Sequence, residues 1–130
     1  MNKKNTEYLF EKYPKLYAQK DLPNTESLMC YGFPGDGWFN LINELSENIQ
    51  NLCDQKGFQI EAVQVKSKWG GLRFYIASTD TRDIDKKDYE TLSKYISEAE
   101  SKSYKICQFC GAEKEEENSH SCLKRMLKSD

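Results

Sequence analysis

Apolar positions along residues 5–20, NTEYLFEKYPKLYAQK, recur at helical spacing through Tyr8, Leu9, Tyr13, Leu16 and Tyr17. Pro14 has no amide hydrogen and cannot sit inside one straight helix, so the stretch predicts two short helical pieces. Residues 21–37, DLPNTESLMCYGFPGDG, are rich in Pro, Gly and Asp. They predict a long loop packed by Leu28, Met29, Tyr31 and Phe33, and that length makes it a candidate functional loop. The clearest stripe follows in GWFNLINELSENIQNLCDQKG. Trp38, Leu41, Ile42, Leu45, Ile49 and Leu52 share one helical face, with Asp36 as the expected N-cap and Gly57 as the stop.

The period then changes from helical to alternating. Val63 and Val65 alternate with polar neighbours, and Leu72, Phe74 and Ile76 alternate with Arg73 and Tyr75. Two strands are predicted, joined near Gly70 and Gly71 as a hairpin or a bulge. STDTRD is a polar connector. Asp85 is placed to cap a further helix, with Asp88 in its first turn and Tyr89, Leu92, Ile96 and Ala99 on its buried face. The segment CLKRMLK predicts a last short helix. The expected fold is a single α+β domain over residues 1–130. A small antiparallel hairpin sheet packs with two main helices, and residues 105–128 form a zinc-knuckle-like tail within the domain.

Composition adjusts this picture in two ways. Leu, Ile, Val and Phe make up only a fifth of the chain, while eight Tyr, six Phe and two Trp supply large buried areas. Such a lean core favours a metal staple. The formal net charge of −2 speaks against a disordered polyelectrolyte and against an overall basic nucleic-acid binder, though a local basic patch is compatible with it. The start MNKKNTEYLF has no apolar core of the kind a secretory signal needs, and no stretch reaches the length of a membrane span. Five cysteines without a disulfide-like spacing fit a reducing cytoplasm. Cys30 and Cys53 stand alone and are expected as small buried apolar residues.

Candidate chemistry concentrates in CQFCGAEKEEENSHSC. Cys107 and Cys110, followed by Gly111, have the form of a zinc knuckle, in which two thiolates grip one tetrahedral ion from a tight turn. His120 and Cys122 are the nearest further ligands. Zinc held by Cys107, Cys110, His120 and Cys122 is the expected cofactor, and four protein ligands make a closed, structural site. Two rivals stand beside it. A redox CxxC normally opens a helix after a strand, whereas this one follows a helix. A degenerate knuckle without metal is the other. The run Glu113, Glu115, Glu116, Glu117 reads as a solvated loop.

VKSKWGGLRFY is the second distinctive stretch. Lys66, Lys68 and Arg73 surround Trp69 and Tyr75, a mixture that binds phosphates while stacking bases. The simpler reading is an amphipathic hairpin with a solvated basic face.

YPKLYAQKDLP, GDGWFNLINEL, VQVKSKWGGLRFY and AESKSYKICQFCG, with the trailing cysteine, resemble a family of small uncharacterised phage and prophage proteins. The shared pattern is a K-aromatic-G-G-L-R-F-Y hairpin followed by a helix that runs into C-x-x-C-G, over roughly residues 8–125. In the resembling family the second metal half has the form C-x-x-H. Here Cys122 is followed three positions later by Arg125, which leaves His120 as the substitute ligand. The resemblance brings no activity with it. A phage-like setting implies an accessory protein that binds and blocks a host machine, such as a CRISPR-type effector.

The enzyme case is thin. The single histidine is better used as a ligand, no serine or cysteine has an obvious paired base, and no phosphate-cradling loop or H-E-x-x-H pattern occurs. The chain is therefore expected to be a non-enzymatic interaction protein. Its expected target is a host protein, including a ribonucleoprotein. The loop with Tyr31 and Trp38 and the hairpin around Trp69 and Arg73 are the expected contact surfaces. Direct RNA or DNA binding through Lys66, Lys68, Trp69, Arg73 and Tyr75 is the alternative. No membrane partner is expected.

Overall fold

The computed structural model describes residues 1–78 and 84–114. Three helices and one hairpin make up the described fold: α1 (Lys3–Lys12), α2 (Phe39–Lys56), β1 (Ile60–Lys68), β2 (Gly71–Ser78) and α3 (Lys86–Ser103). It is an α+β architecture with an antiparallel two-stranded sheet. The expected last helix in CLKRMLK lies outside the described residues.

α1 starts at an Asn2 cap, whose side chain accepts the Asn5 amide at 2.8 Å. It ends before Pro14, and the chain resumes as a 3-10 turn at Ala18–Asp21. These are the two short pieces that the proline demands. Leu9, Tyr13, Leu16 and Tyr17 from this segment are all buried.

α2 buries the predicted stripe and adds Ser46 and Cys53 to it. Gly57 closes it in a left-handed conformation at φ 76°, its amide bonded to the Cys53 carbonyl at 2.9 Å. The start differs from expectation. Asp36 is not the N-cap, because residues Asp36–Trp38 form a 3-10 turn and the helix begins only at Phe39. The Asp36 carboxylate instead accepts from the Asn2 amide at 2.7 Å and from Asn5 Nδ2 at 3.3 Å. It ties the start of α1 to the entry of α2.

β1 and β2 pair from Ile60↔Ser78 to Lys68↔Gly71, with a bulge between Ala62 and Gln64. The bulge leaves Val63 outside the ladder, where its carbonyl accepts the Leu28 amide at 3.2 Å. The Ala62 amide reaches the Leu16 carbonyl at 2.8 Å, so the N-terminal half of β1 is bordered by loop segments. Beside β2, α3 supplies the Ser103 hydroxyl, which accepts the Leu72 amide at 2.8 Å. A lone hairpin is marginal in water, and these side-on bonds supply what a third strand would.

α3 is capped by Asp85, whose carboxylate accepts the Lys87 amide at 3.0 Å. It buries Leu92 and Ala99 as expected, whereas Tyr89 is exposed and Ile96 half-buried.

Tyr17 stands at the centre of the core. Its ring meets Phe33 edge-on at 5.1 Å and also meets Phe10 and Phe74, so the N-terminal segment, the long loop and the sheet converge there. Its hydroxyl lies 2.6 Å from Ser46 Oγ, which in turn donates to the Ile42 carbonyl at 2.7 Å. Burial pushes the Tyr17 phenol well above the ordinary tyrosine range, and the Ser46 hydrogen bond only partly opposes this. Folding therefore favours the neutral phenol. The associated stability is complete below the unfolded-state value and is lost as pH rises past it toward the raised folded value. Tyr17→Phe should cost about 1 kcal/mol at neutral pH, since Ser46 keeps its bond to Ile42. In urea melts at about pH 11 the gap to the parent should close or reverse, because only the parent then carries the buried, ionisable phenol at position 17, while Tyr13 is common to both.

Candidate functional site

The hairpin turn consists of Trp69 and Gly70, between the paired residues Lys68 and Gly71. Both turn residues have positive φ, 55° at Trp69 and 80° at Gly70. Two-residue turns of this hand match the twist of the strands and strongly favour Asn-Gly or Gly-Gly. A tryptophan there holds its backbone where Cβ crowds the following carbonyl, at a cost of roughly 1–2 kcal/mol. It is the only non-glycine residue with positive φ among the described residues. Its side chain is also 79% exposed. Neither the backbone nor the indole of Trp69 gains stability from this placement.

Strand alternation puts Lys66, Arg73 and Tyr75 on one face of the hairpin, opposite the buried face of Val65, Leu72 and Phe74. Lys68 and Tyr75 are exposed and Lys66 is half-buried. Arg73 is engaged within the fold. Its Nη1 pairs with Glu100 Oε1 at 2.6 Å and its Nη2 donates to the Tyr104 hydroxyl at 3.1 Å. The Tyr104 hydrogen bond and then the Glu100 charge hold the guanidinium even more firmly protonated than usual. Arg73 thus braces the hairpin against α3, and the free basic character of this face comes from Lys66 and Lys68.

Gly71 has a different role from Gly70. A Cβ there would lie 2.4 Å from Tyr104 Cζ, so the glycine admits the Tyr104 ring beside the strand. The paired glycines serve two separate needs, one of backbone hand and one of space.

Tyr31 and Trp38, expected together as loop contacts, are separated by the structure. Tyr31 is 67% exposed, its hydroxyl accepting from Asn24 Nδ2 at 3.0 Å, with Leu22 and Leu28 exposed nearby in sequence. The bond from Leu28 to Val63 sets this turn beside the bulge of β1. That is roughly 20 Å along the strand from Trp69. Trp38 is only 1% exposed and belongs to the core, which corrects its expected role as a contact residue. The reason is its place at the head of the apolar stripe of α2 and its indole bond, which donates to the Ile106 carbonyl at 2.8 Å.

That bond leads to the cysteine segment. An Ile106↔Glu113 bridge and the bonds from Cys107 to Ala112 (2.9 Å), from Gly111 to Cys107 (2.8 Å) and from Lys114 to Lys105 (2.7 Å) form a tight antiparallel turn. Gly111 sits at φ 80°, the hand that the sequence assigned to a glycine beneath the sulfurs. Cys107 is buried and Cys110 exposed, and neither is in a disulfide. Two soft thiols on one turn have the donor chemistry of half a tetrahedral zinc site. Among the described residues, no group of three or more His, Cys, Asp or Glu is placed to hold a metal ion. His120 and Cys122, the expected remaining ligands, lie outside the described residues.

The turn is docked on the loop that precedes α2. The Gly37 amide donates to the Gln108 carbonyl at 2.7 Å. A Cβ on Gly35 would lie 2.1 Å from the Gln108 carbonyl oxygen, and one on Gly37 equally close to that of Cys107. The two glycines of PGDG are therefore seats for the cysteine turn. Ser103, Tyr104 and Gln108 were not singled out from the sequence, yet each touches the hairpin. The glycines at 35, 37 and 71 were the signal the sequence carried, but only the structure shows that they serve close approach rather than turning. Of the isolated cysteines, Cys53 is buried as expected, with burial raising its thiol pKa, whereas Cys30 is exposed.

No protein-family model, curated protein or solved structure matches this chain. No helix among the described residues is long and apolar enough to cross a membrane.

Gly37→Ala should destabilise the domain by about 2–4 kcal/mol in denaturant melts, because backbone must move to admit the methyl group. Gly57→Ala meets no atom and should cost only the left-handed penalty, about 1 kcal/mol. Trp69→Asn should raise stability by about 1 kcal/mol, the reverse of the usual result of deleting an aromatic residue.

Proposed function

We propose that this chain is a non-enzymatic interaction protein that engages a protein partner through the Trp69 hairpin. The observation that carries the reading is the combination at Trp69 of a left-handed backbone and a 79% exposed indole. Strain held at an exposed position is retained against stability, which is how functional contacts are commonly built. A tryptophan on a braced turn loses little freedom on binding and suits the centre of an interface. Lys68 and Tyr75 on the hairpin extend the contact, and the exposed Tyr31, whose turn is tied to the β1 bulge, is a second candidate contact.

The resemblance to small phage and prophage proteins supports one setting for this chemistry. In it the chain is a phage-derived inhibitor acting in the cytoplasm, and it occludes a host protein such as a CRISPR-type, nucleic-acid-guided effector. In the same reading, Cys107 and Cys110 hold zinc together with His120 and Cys122 as a closed structural site. The metal would cross-link the tail and supply no open position for chemistry.

Direct RNA or DNA binding is the second reading. Lys66 and Lys68 beside exposed Trp69 and Tyr75 favour it, and the engagement of Arg73 by Glu100 and Tyr104 weakens it.

Tagged protein and its Trp69→Asn variant, each passed through host lysate, test the choice. The protein reading expects one defined protein on the parent and at least a roughly tenfold loss on the variant. Equal capture by both forms overturns it. Recovery of nucleic acid, with affinity that falls steeply with salt and is lost on Lys66→Glu with Lys68→Glu, supports the second reading instead.

A further inference from the structure

The ladder sets Lys66 directly opposite Arg73, with Lys68 diagonal to it on the same face. Like charges in these positions repel and destabilise a sheet. Glu100 relieves only part of this, since its carboxylate is bound to Arg73 Nη1 at 2.6 Å. Glu61 lies beyond the bulge, where Gln19 Nε2 donates to it at 3.1 Å. No carboxylate among the described residues pairs with Lys66 or Lys68. Two ammonium groups are therefore left on one face of β1, on backbone positions about 7 Å apart. The turn that follows them already carries left-handed backbone at Trp69. Both costs fall on the same short stretch, and neither is offset within the described fold.

We propose that Lys66 and Lys68 receive an extended acidic segment of the protein partner, with carboxylates at alternate positions, beside the place where Trp69 makes its contact. The inference rests on the Trp69 reading above and adds the chemistry of the partner. An extended segment repeats its side chains on one face every second residue, at the same spacing of about 7 Å. Asp or Glu at two alternate positions therefore meets both lysines at once. Charge complementarity of this kind sets the register of an interface and speeds encounter. Three observations favour a protein segment over a nucleic acid. Arg73, whose planar fork suits a phosphate, is already engaged by Glu100 and Tyr104. The Glu100 carboxylate beside it repels a phosphate backbone. The chain as a whole carries a formal net charge of −2, so its overall field does not draw in a long polyanion. Two local cations are enough for two carboxylates.

Titration of the isotope-labelled full chain, with amide shifts read by NMR, tests this directly. The probes are a blocked peptide of alternating Glu and Thr, its counterpart with Gln in place of Glu, and a short oligothymidine. At low salt the Glu peptide should bind about fivefold tighter than the Gln peptide, the effect of two exposed ion pairs. Its shifts should centre on residues 66–69, and the preference should vanish at high salt. Lys66→Glu with Lys68→Glu should abolish the preference. Lys4→Glu with Lys15→Glu, the same change of charge at two exposed lysines outside the hairpin, should keep it. Lys66→Glu alone should be at least as stable as the parent in urea melts, because it sets opposite charges across from each other at Arg73. Lost binding in that background is then not lost folding. The proposal is overturned if the Glu and Gln peptides bind alike, or if the Lys4 and Lys15 variant loses the preference as fully as the hairpin variant. Tighter binding of oligothymidine than of the Glu peptide overturns it in favour of nucleic acid. A Lys66→Glu variant less stable than the parent also overturns it, by removing the repulsion on which it stands. None of these titrations uses Trp69→Asn or a lysate partner, so failure of the acidic-segment assignment and failure of the Trp69 surface are read separately.

Discussion

Two glycines without side chains let the backbone at residues 107 and 108 lie directly against the loop that starts α2, and much else depends on that approach. At Gly37 a single methyl group would overlap the Cys107 carbonyl oxygen. With the approach in place, the Gly37 amide and the Trp38 indole both bond to the cysteine segment, at 2.7 and 2.8 Å. The far end of the described chain is thereby fastened to its middle. Held there, Ser103, Tyr104 and Gln108 can support a hairpin that has no third strand among the described residues.

The core and the display surface use aromatic residues in opposite ways. Tyr17, Phe33, Phe74 and Trp38 are buried in one cluster, and the Tyr17 hydroxyl has its partner in Ser46. That cluster compensates for the shortage of aliphatic residues. Trp69 and Tyr31 bury little and are placed on turns. A small domain has limited stability to give away, so an exposed tryptophan in left-handed backbone is informative about function. The nearby Arg73–Glu100 pair and the Tyr104 ring hold the strands still below it. A rigid anchor loses less freedom on binding than a mobile one.

Periodicity made most of the fold legible. The stripe of α2, the alternation of the two strands, the break at Pro14, the Gly57 stop and the Asp85 cap all follow local rules, and local rules need no knowledge of neighbours. The departures have one origin. Asp36 was placed as a cap, but Asn2 and Asn5, more than thirty positions away, take its carboxylate. Trp38 was placed at a contact surface, but Ile106 takes its indole. Tyr89 and Cys30 were placed inside, but no neighbouring element among the described residues covers them. Arg73 had the right charge for a ligand, and Glu100 is its observed partner.

By itself the sequence determined which segments are helical and which extended, because side-chain period and the hands of proline and glycine act within a few residues. It also determined the inventory of chemistry: two thiols on a C-x-x-C-G turn, and a tryptophan between lysines and glycines. Only the tertiary structure decided which of the two tryptophans is a core residue and which is presented. It alone assigned Gly35, Gly37 and Gly71 to close approach rather than to turning. It alone joined the cysteine turn to the hairpin through Gln108. Those outcomes depend on contacts between segments thirty to seventy residues apart, and a linear pattern does not specify which distant group arrives to fill a space or accept a hydrogen bond.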